Sequence, residues 1–347
     1  RDSTWTGYNY SQSTASGTTT YSSLTNTLSG QTMVAGSPAT TSYGNGQSAL
    51  RTDTINAALG SGNVIVQANG YIDYGGWNNG TTNYINSSST NTLTFKAASY
   101  IALNGYKIDL PNGKLELLAG TTVSQASAAP IYAKTLALGS YNGGTSKPTV
   151  DLTTATNYIT NLQASNINTL NLTNGQGMTV NTNGITATGQ VTLNAGAYDI
   201  NLNGAFNVAA PILVYGANIY VNNGANLTTT VAGNGILLKA TNDVVIGAGS
   251  AIALQTNNGN ITLWADSDGN SAGNIRVREA VTFNSANGLT TQATGGGAIT
   301  LAGGSSADAN GLPTTGCIKS TLRSSNPNAV KIRYACKTVK SEEFGLL

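Results

Sequence analysis

The feature that most constrains this chain is a short strand that keeps returning. "NTLTFKA" from Asn91, "GKLELLAG" from Gly113, "KTLALG" from Lys134 and "NTLNLT" from Asn168 share an apolar-x-apolar kernel. "QVTLNAG" from Gln190, "PILVYG" from Pro211, "GILLKA" from Gly235, "NITLWA" from Asn260 and "AITLAG" from Ala298 continue the series. Taking the first apolar residue of each gives a ruler. Leu93 to Leu115 is 22 residues and Leu115 to Leu136 is 21; Leu170 to Val191 and Val191 to Ile212 are 21 each. Ile212 to Ile236 is 24 and Ile236 to Ile261 is 25. Two intervals are longer, Leu136 to Leu170 at 34 and Ile261 to Ile299 at 38, and each is expected to hold an insertion or an extra coil.

A recurrence of this length marks a repeat architecture, in which one unit cannot bury its apolar side alone and stacks on the next. Three short strands and three turns fill about 21 residues. The reading is therefore all-β: a right-handed, single-stranded parallel β-helix, with the hand taken from the strong bias of parallel crossovers. Successive windings lie about 4.8 Å apart, so residues 60–316 predict about a dozen coils and a rod roughly 60 Å long. The rival is a sandwich of antiparallel hairpins, which also explains turn signals every 8–12 residues; the long recurrence favours the solenoid.

Composition agrees with this fold class. Charged residues make up 9% of the chain, with 42 glycines, no histidine and seven prolines. Disordered chains are rich in charge and proline, and an ordinary globule needs more bulky core residues. A narrow solenoid interior suits small aliphatics, and its corners suit the many Asn-Gly and Gly-Asn pairs. The formal charge of +2, from 16 basic and 14 acidic residues, makes no general case for nucleic acid or an anionic membrane. No run of about 18 apolar residues is present, so no membrane span is expected. The opening "RDSTWTGYNY" lacks an apolar signal region, so a secreted form would be one whose signal has been removed.

The chain divides on this reading into a Thr/Ser/Tyr-rich arm (1–50), a β-helix body with its N-terminal cap (51–316) and a capping or docking segment (317–347). Open coil ends template aggregation and need covering. "TDTINAALGSG" (52–62) predicts a short capping helix, with Thr52 or Asp53 as N-cap and Gly60 just beyond the end. The arm alternates in patches such as "TYSSLTNTL" from Thr20, and is expected to form strands or pack along the body. Cys317 and Cys336 are the only cysteines. A single local pair without histidine argues against zinc and for a disulfide in an oxidising compartment. Such a bridge would contribute about 3 kcal/mol, and two reduced thiols are the alternative.

"DTINAALGSGNVIVQANGYI" (53–72) and "GNITLWADSDGNSAGNI" (259–275) resemble recurrent stretches of the filamentous-haemagglutinin-like secreted bacterial exoproteins and adhesins. The resemblance covers about residues 50–305. It implies export, a right-handed β-helix and a non-catalytic role in attachment, aggregation or matrix building at the cell surface. Two features depart from the family. The family's N-terminal secretion domain carries NPNL and NPNG motifs, whereas the one NPN triplet here, Asn326-Pro327-Asn328, lies near the C-terminus and is not equated with them, and the chain is short for the family.

Four groups of residues are candidate sites. "YIDYGGWNNGTTNY" (71–84) sets Tyr71, Tyr74, Trp77 and Tyr84 in a Gly/Asn-rich stretch, suited to stacking on glycans; covering a coil edge is the alternative. Asp266, Asp268 and Asn270 could bind calcium in a turn. An EF-hand is excluded because Val277 stands where the loop's final glutamate belongs. The other reading of these three, and the one preferred, is a solvated corner. In the tail, Lys319, Arg323, Lys331, Arg333, Lys337 and Lys340 cluster, with Lys331, Arg333 and Lys337 on one face of an alternating strand (329–340). That face fits docking to an anionic partner, or an edge strand blunted by lysine. Catalysis finds little support: the acids are scattered singly and no histidine serves as base. An acidic-polysaccharide lyase or hydrolase, which parallel β-helices also host, is the weakest reading. No cofactor is implied beyond the calcium alternative. The expected partners are surface glycans or further copies of the chain joined end to end in a filament or sheath.

Overall fold

Alternation decides the local structure. In "VIVQA" or "ILLKA" every second residue is aliphatic, and a strand places alternate side chains on opposite faces. A computed structural model of the chain describes residues 10–15, 18–23, 27–28, 47–48, 52–75, 84–222, 224–247, 252–277, 281–285, 297–308 and 313. These residues form a parallel β-solenoid of about 8 turns with very little helix. The chain groups into two compact units, Arg1–Gly196 and Ala197–Leu347. The division at Gly196 falls inside the stretch 51–316 that the sequence presents as one body.

In the first unit three ladders run in register. Val64, Leu93, Leu115, Leu136, Leu162 and Val180 are successive partners on one. Ile72, Ile101, Val123, Val150, Leu170 and Val191 form the second. Ile85, Ile108 and Ile131 belong to the third. The residues of the first ladder are all 0% exposed. Burying each such aliphatic contributes about 1.5–3 kcal/mol relative to leaving it in water. The second unit repeats the plan. Ile200, Ile219, Val244 and Ile275 align, as do Phe206 with Leu227, Leu254 with Phe283, and Ile212 with Ile236, Ile261 and Ile299. Three strands per winding is the plan expected.

The winding count is lower than the dozen that even spacing implies, because many windings exceed 21 residues. Ile72 to Ile101 takes 29, Leu136 to Leu162 takes 26 and Ile261 to Ile299 takes 38. The two long intervals have different causes. Leu136 pairs with Leu162, whereas Leu170 pairs with Val150 on another ladder. The 34-residue gap is therefore a change of ladder, not an insertion or an extra coil. Ile261 pairs directly with Ile299, so the 38-residue gap is one winding with an insertion.

The helix α1 spans Thr52–Ser61, and its Ile55 and Leu59, one turn apart, are both 0% exposed. Asp53 Oδ1 accepts the Thr54 N–H at 2.7 Å. Gly60 lies inside the helix rather than beyond it; the Gly62 N–H reaches the Ala58 carbonyl at 3.0 Å and closes the end. From the arm, strand β1 (Tyr10–Ala15) pairs antiparallel with strand β2 (Thr18–Ser23), and β2 continues parallel onto Asn63–Gln67. The arm thus supplies strands, as expected. The C-terminal segment 317–347, with Cys317 and Cys336, lies outside the described residues.

Candidate functional site

The aromatic stretch sits where the first windings begin, and strand parity sorts its residues. In Ile72–Tyr74 both Ile72 and Tyr74 face inward. Tyr74 is 1% exposed; its hydroxyl donates to the Lys107 carbonyl at 3.0 Å and accepts the Ile85 N–H at 3.0 Å. Burial pushes its phenol well above the ordinary tyrosine range. Tyr74 therefore joins two windings from inside, and no ring face is left for a sugar.

Tyr71 has the opposite parity and packs against Tyr100 of the next winding, with ring centres 4.7 Å apart and planes 7° from parallel. Beside the pair, Asp73 accepts the Asn104 amide at 2.8 Å, and burial holds its carboxyl above the usual carboxylate range. A second column passes through Tyr84. The Asn56 side chain fixes the backbone there, donating to the Tyr84 carbonyl at 3.2 Å and accepting the Asn86 N–H at 2.9 Å. Lys107 Nζ lies 4.4 Å from the Tyr84 ring centre and 5.5 Å from that of Tyr132. Its ammonium also holds Asp109 at 2.8 Å, and that hydrogen bond is the main reason the lysine titrates above its ordinary value. Tyr132 stacks on Tyr158 at 4.6 Å and 7°. A Cβ at Gly175 would come within 3.1 Å of the Tyr158 ring, so the column ends on bare backbone.

This arrangement limits the chemistry. Tyr132 thus meets both the Lys107 ammonium and the Tyr158 ring. Each stacked pair contributes about 0.5–1.5 kcal/mol beyond the area it buries. Tyr71 is partly exposed and stacks on Tyr100 through one face. Trp77 lies outside the described residues, as do Lys331, Arg333 and Lys337.

The acidic corner behaves as a turn. Asp266 adopts a left-handed conformation at φ 53°, with Gly269 at 74° and Ser271 at 68°. Asp266 Oδ1 accepts the Ser271 N–H at 2.9 Å. Asp268 accepts the Asn270 amide at 2.8 Å, and Asn270 Oδ1 accepts the Ala272 N–H at 2.8 Å. The three side chains thus act mainly on the turn's own backbone and on each other. Among the described residues no group of three or more His, Cys, Asp or Glu could hold a metal ion. Just before the corner, Trp264 points outward by parity yet is 0% exposed. Its indole N–H donates to the Gly304 carbonyl at 2.7 Å, and Lys239 Nζ lies 3.9 Å from its ring centre.

Two polar groups escaped the reading of the sequence. In the first unit Asn157 is 0% exposed inside the winding. Its Oδ1 accepts from Gln125 Nε2 at 2.6 Å and from the Ile131 N–H at 2.9 Å. Its amide donates to the Leu152 and Thr173 carbonyls at 2.9 and 3.1 Å. Asn174, 2% exposed, bridges Ile159 in the same manner. In the second unit Asp199, Asn218, Asp243 and Asn274 form an outer column. The Oδ1 of Asp199, Asn218 and Asp243 each accepts a backbone N–H of the next winding, at 3.2, 3.0 and 2.8 Å. Alternating Asp with Asn keeps carboxylates off adjacent rungs, where like charges would repel. Arg276 pairs with Asp243 at 2.9 Å. These groups tie each winding to the next. No family model, curated protein or solved structure matches this chain.

Proposed function

We propose that this chain is a non-enzymatic, exported solenoid that acts at the cell surface or in an extracellular matrix, in adhesion or as a building block. The observation that carries the reading is the regular column of outward side chains. Ser124, Asp151, Asn171 and Thr192 follow one another on the second ladder at the rung spacing, a repetitive polar surface of the kind that contacts extended partners. The family resemblance of residues 53–72 and 259–275 points the same way. Within this reading glycans are the favoured ligand class, and Tyr71 is the residue of the aromatic set best placed to meet one. A second reading makes the chain a subunit of a homopolymeric filament or sheath; the uncharged hairpin of β1 and β2 favours it.

The test is binding of the labelled chain to a glycan array and to intact cells, repeated with Tyr71→Ala. Saturable binding lowered several-fold by Tyr71→Ala supports the glycan-binding adhesin. No signal above background on either surface removes it. Turnover of an acidic polysaccharide, lost on replacing one carboxylate, would overturn the non-enzymatic assignment.

A further inference from the structure

Among the described residues, the first ladder ends on an edge that no further strand covers. Strand β2 lies parallel on Asn63–Gln67, and β1 pairs antiparallel outside it through six residue pairs from Tyr10↔Ser23 to Ala15↔Thr18, without a register shift. Among the described residues the register of β1 is with β2 alone. Edge strands are ordinarily blunted by lysine, proline or a bulge. The strands "YSQSTA" and "TTTYSS" contain no charged residue and no proline, and their pairing has no bulge.

We propose that β1 joins a second copy of this chain, β1 against β1, across a two-fold axis. Three observations select that occupant. The edge is uncharged, so no register of β1 against a second β1 sets like charges opposite one another. The strand runs opposite to the stacked strands it extends, so a further copy cannot simply continue their parallel order on this edge. A two-fold axis perpendicular to the sheet sets identical edges antiparallel, the arrangement with straight, paired hydrogen bonds, and makes the interface isologous. This inference rests on the self-association in the building-block reading above, and makes the contact a closed pair where a filament would need an open one.

Sedimentation equilibrium of the full chain tests it, with Gln12→Pro and Ser13→Pro alongside. Neighbouring N–H groups on a strand point to opposite edges, so one of the two prolines removes an outer donor and leaves the bonds to β2. Ser13→Lys adds a like charge across the axis without removing backbone bonds. The expected result is a discrete dimer whose dissociation constant rises at least tenfold in one proline variant. In Ser13→Lys it rises too, and added salt partly restores it. A monomer at every concentration, open-ended polymers, or a dimer indifferent to all three changes would overturn the assignment. The two proposals fail separately. A monomer that still binds cells removes the dimer and keeps adhesion, and a dimer that binds no surface does the reverse.

Discussion

Replacing Asn157 by leucine asks how much the interior amide network stabilises the first unit. The residue is 0% exposed, and its oxygen is the partner of the Ile131 N–H at 2.9 Å. Leucine of similar size leaves that donor without a partner, and removes one side-chain bond from each of the Leu152 and Thr173 carbonyls. Gln125 loses its 2.6 Å bond but keeps the one to the Ala129 carbonyl at 2.7 Å. An unsatisfied buried polar group costs about 1–3 kcal/mol. Carbonyls have a second lone pair and lie toward the low end, and the orphaned N–H toward the middle. The added apolar burial offsets about 1 kcal/mol. The net expectation is a loss of about 3 kcal/mol, a large share of the stability of an ordinary domain. Asn161 is the control: it is half-buried on the outward face, its amide donates to the Lys134 carbonyl at 3.2 Å, and Asn161→Leu should change stability by no more than about 0.5 kcal/mol. Urea unfolding followed by far-UV circular dichroism reads the difference. Hydrogen exchange locates it, since a stacked-repeat fold concentrates damage in neighbouring windings. Peptides covering residues 126–133 should exchange faster, and those covering 63–68 should not. Equal destabilisation by the two substitutions would refute the reasoning.

Four further outcomes follow from the geometry. A Cβ at Gly259 would lie 1.8 Å from the Asn234 carbonyl oxygen, with backbone on every near side, so Gly259→Ala should cost about 3 kcal/mol in unfolding experiments. Gly60 has nothing within 4 Å and lies in α1, so Gly60→Ala should instead stabilise the chain by about 0.5–1 kcal/mol. Tyr74→Phe leaves the Ile85 N–H and Lys107 carbonyl without their side-chain partner and should lower stability by about 1–3 kcal/mol with no change in secondary structure. Because burial raises the Asp73 carboxyl above its unfolded value, the protonated form is the one folding favours. That contribution is complete below the unfolded pKa and is lost as pH rises through the folded one. The melting temperature of the native chain should therefore fall relative to Asp73→Asn between about pH 3 and about pH 7; a constant difference would contradict the burial argument.

Much of the fold was legible because its interior is written in alternating aliphatics. Leu93, Leu115 and Leu136 are true ladder partners, as are Leu170 and Val191, and the helix over 52–61 follows from Ile55 and Leu59 with an acidic first turn. The ruler slipped between Leu136 and Leu170 because all three faces of a winding carry the same apolar-x-apolar kernel, so spacing alone cannot say which face a kernel belongs to. Tyr71 and Tyr74 share one short Gly/Asn-rich stretch, but their positions relative to Ile72 have opposite parity, and counting by twos sends Tyr74 inside. Asn157 carries the same signal in Ala155, Asn157 and Ile159, alternate positions that all face inward. In a chain so rich in asparagine a buried one has no compositional mark. The burial of Trp264 on an outward position has no counterpart in local alternation, since it depends on chain distant in sequence, as its bond to Gly304 illustrates.

The central claim, that windings distant in sequence lie parallel and in register, is tested most directly by paired nitroxide labels at Ser124 and Asn171, with Cys317 and Cys336 replaced by serine. Ser124 pairs with Asp151, and Asp151 with Asn171, so the two backbones should lie two rungs apart, about 10 Å. Strong dipolar broadening in the frozen-state resonance spectrum, absent from each single label, is the predicted result. Spectra of the doubly labelled chain that equal the sum of the single labels would contradict the parallel stack.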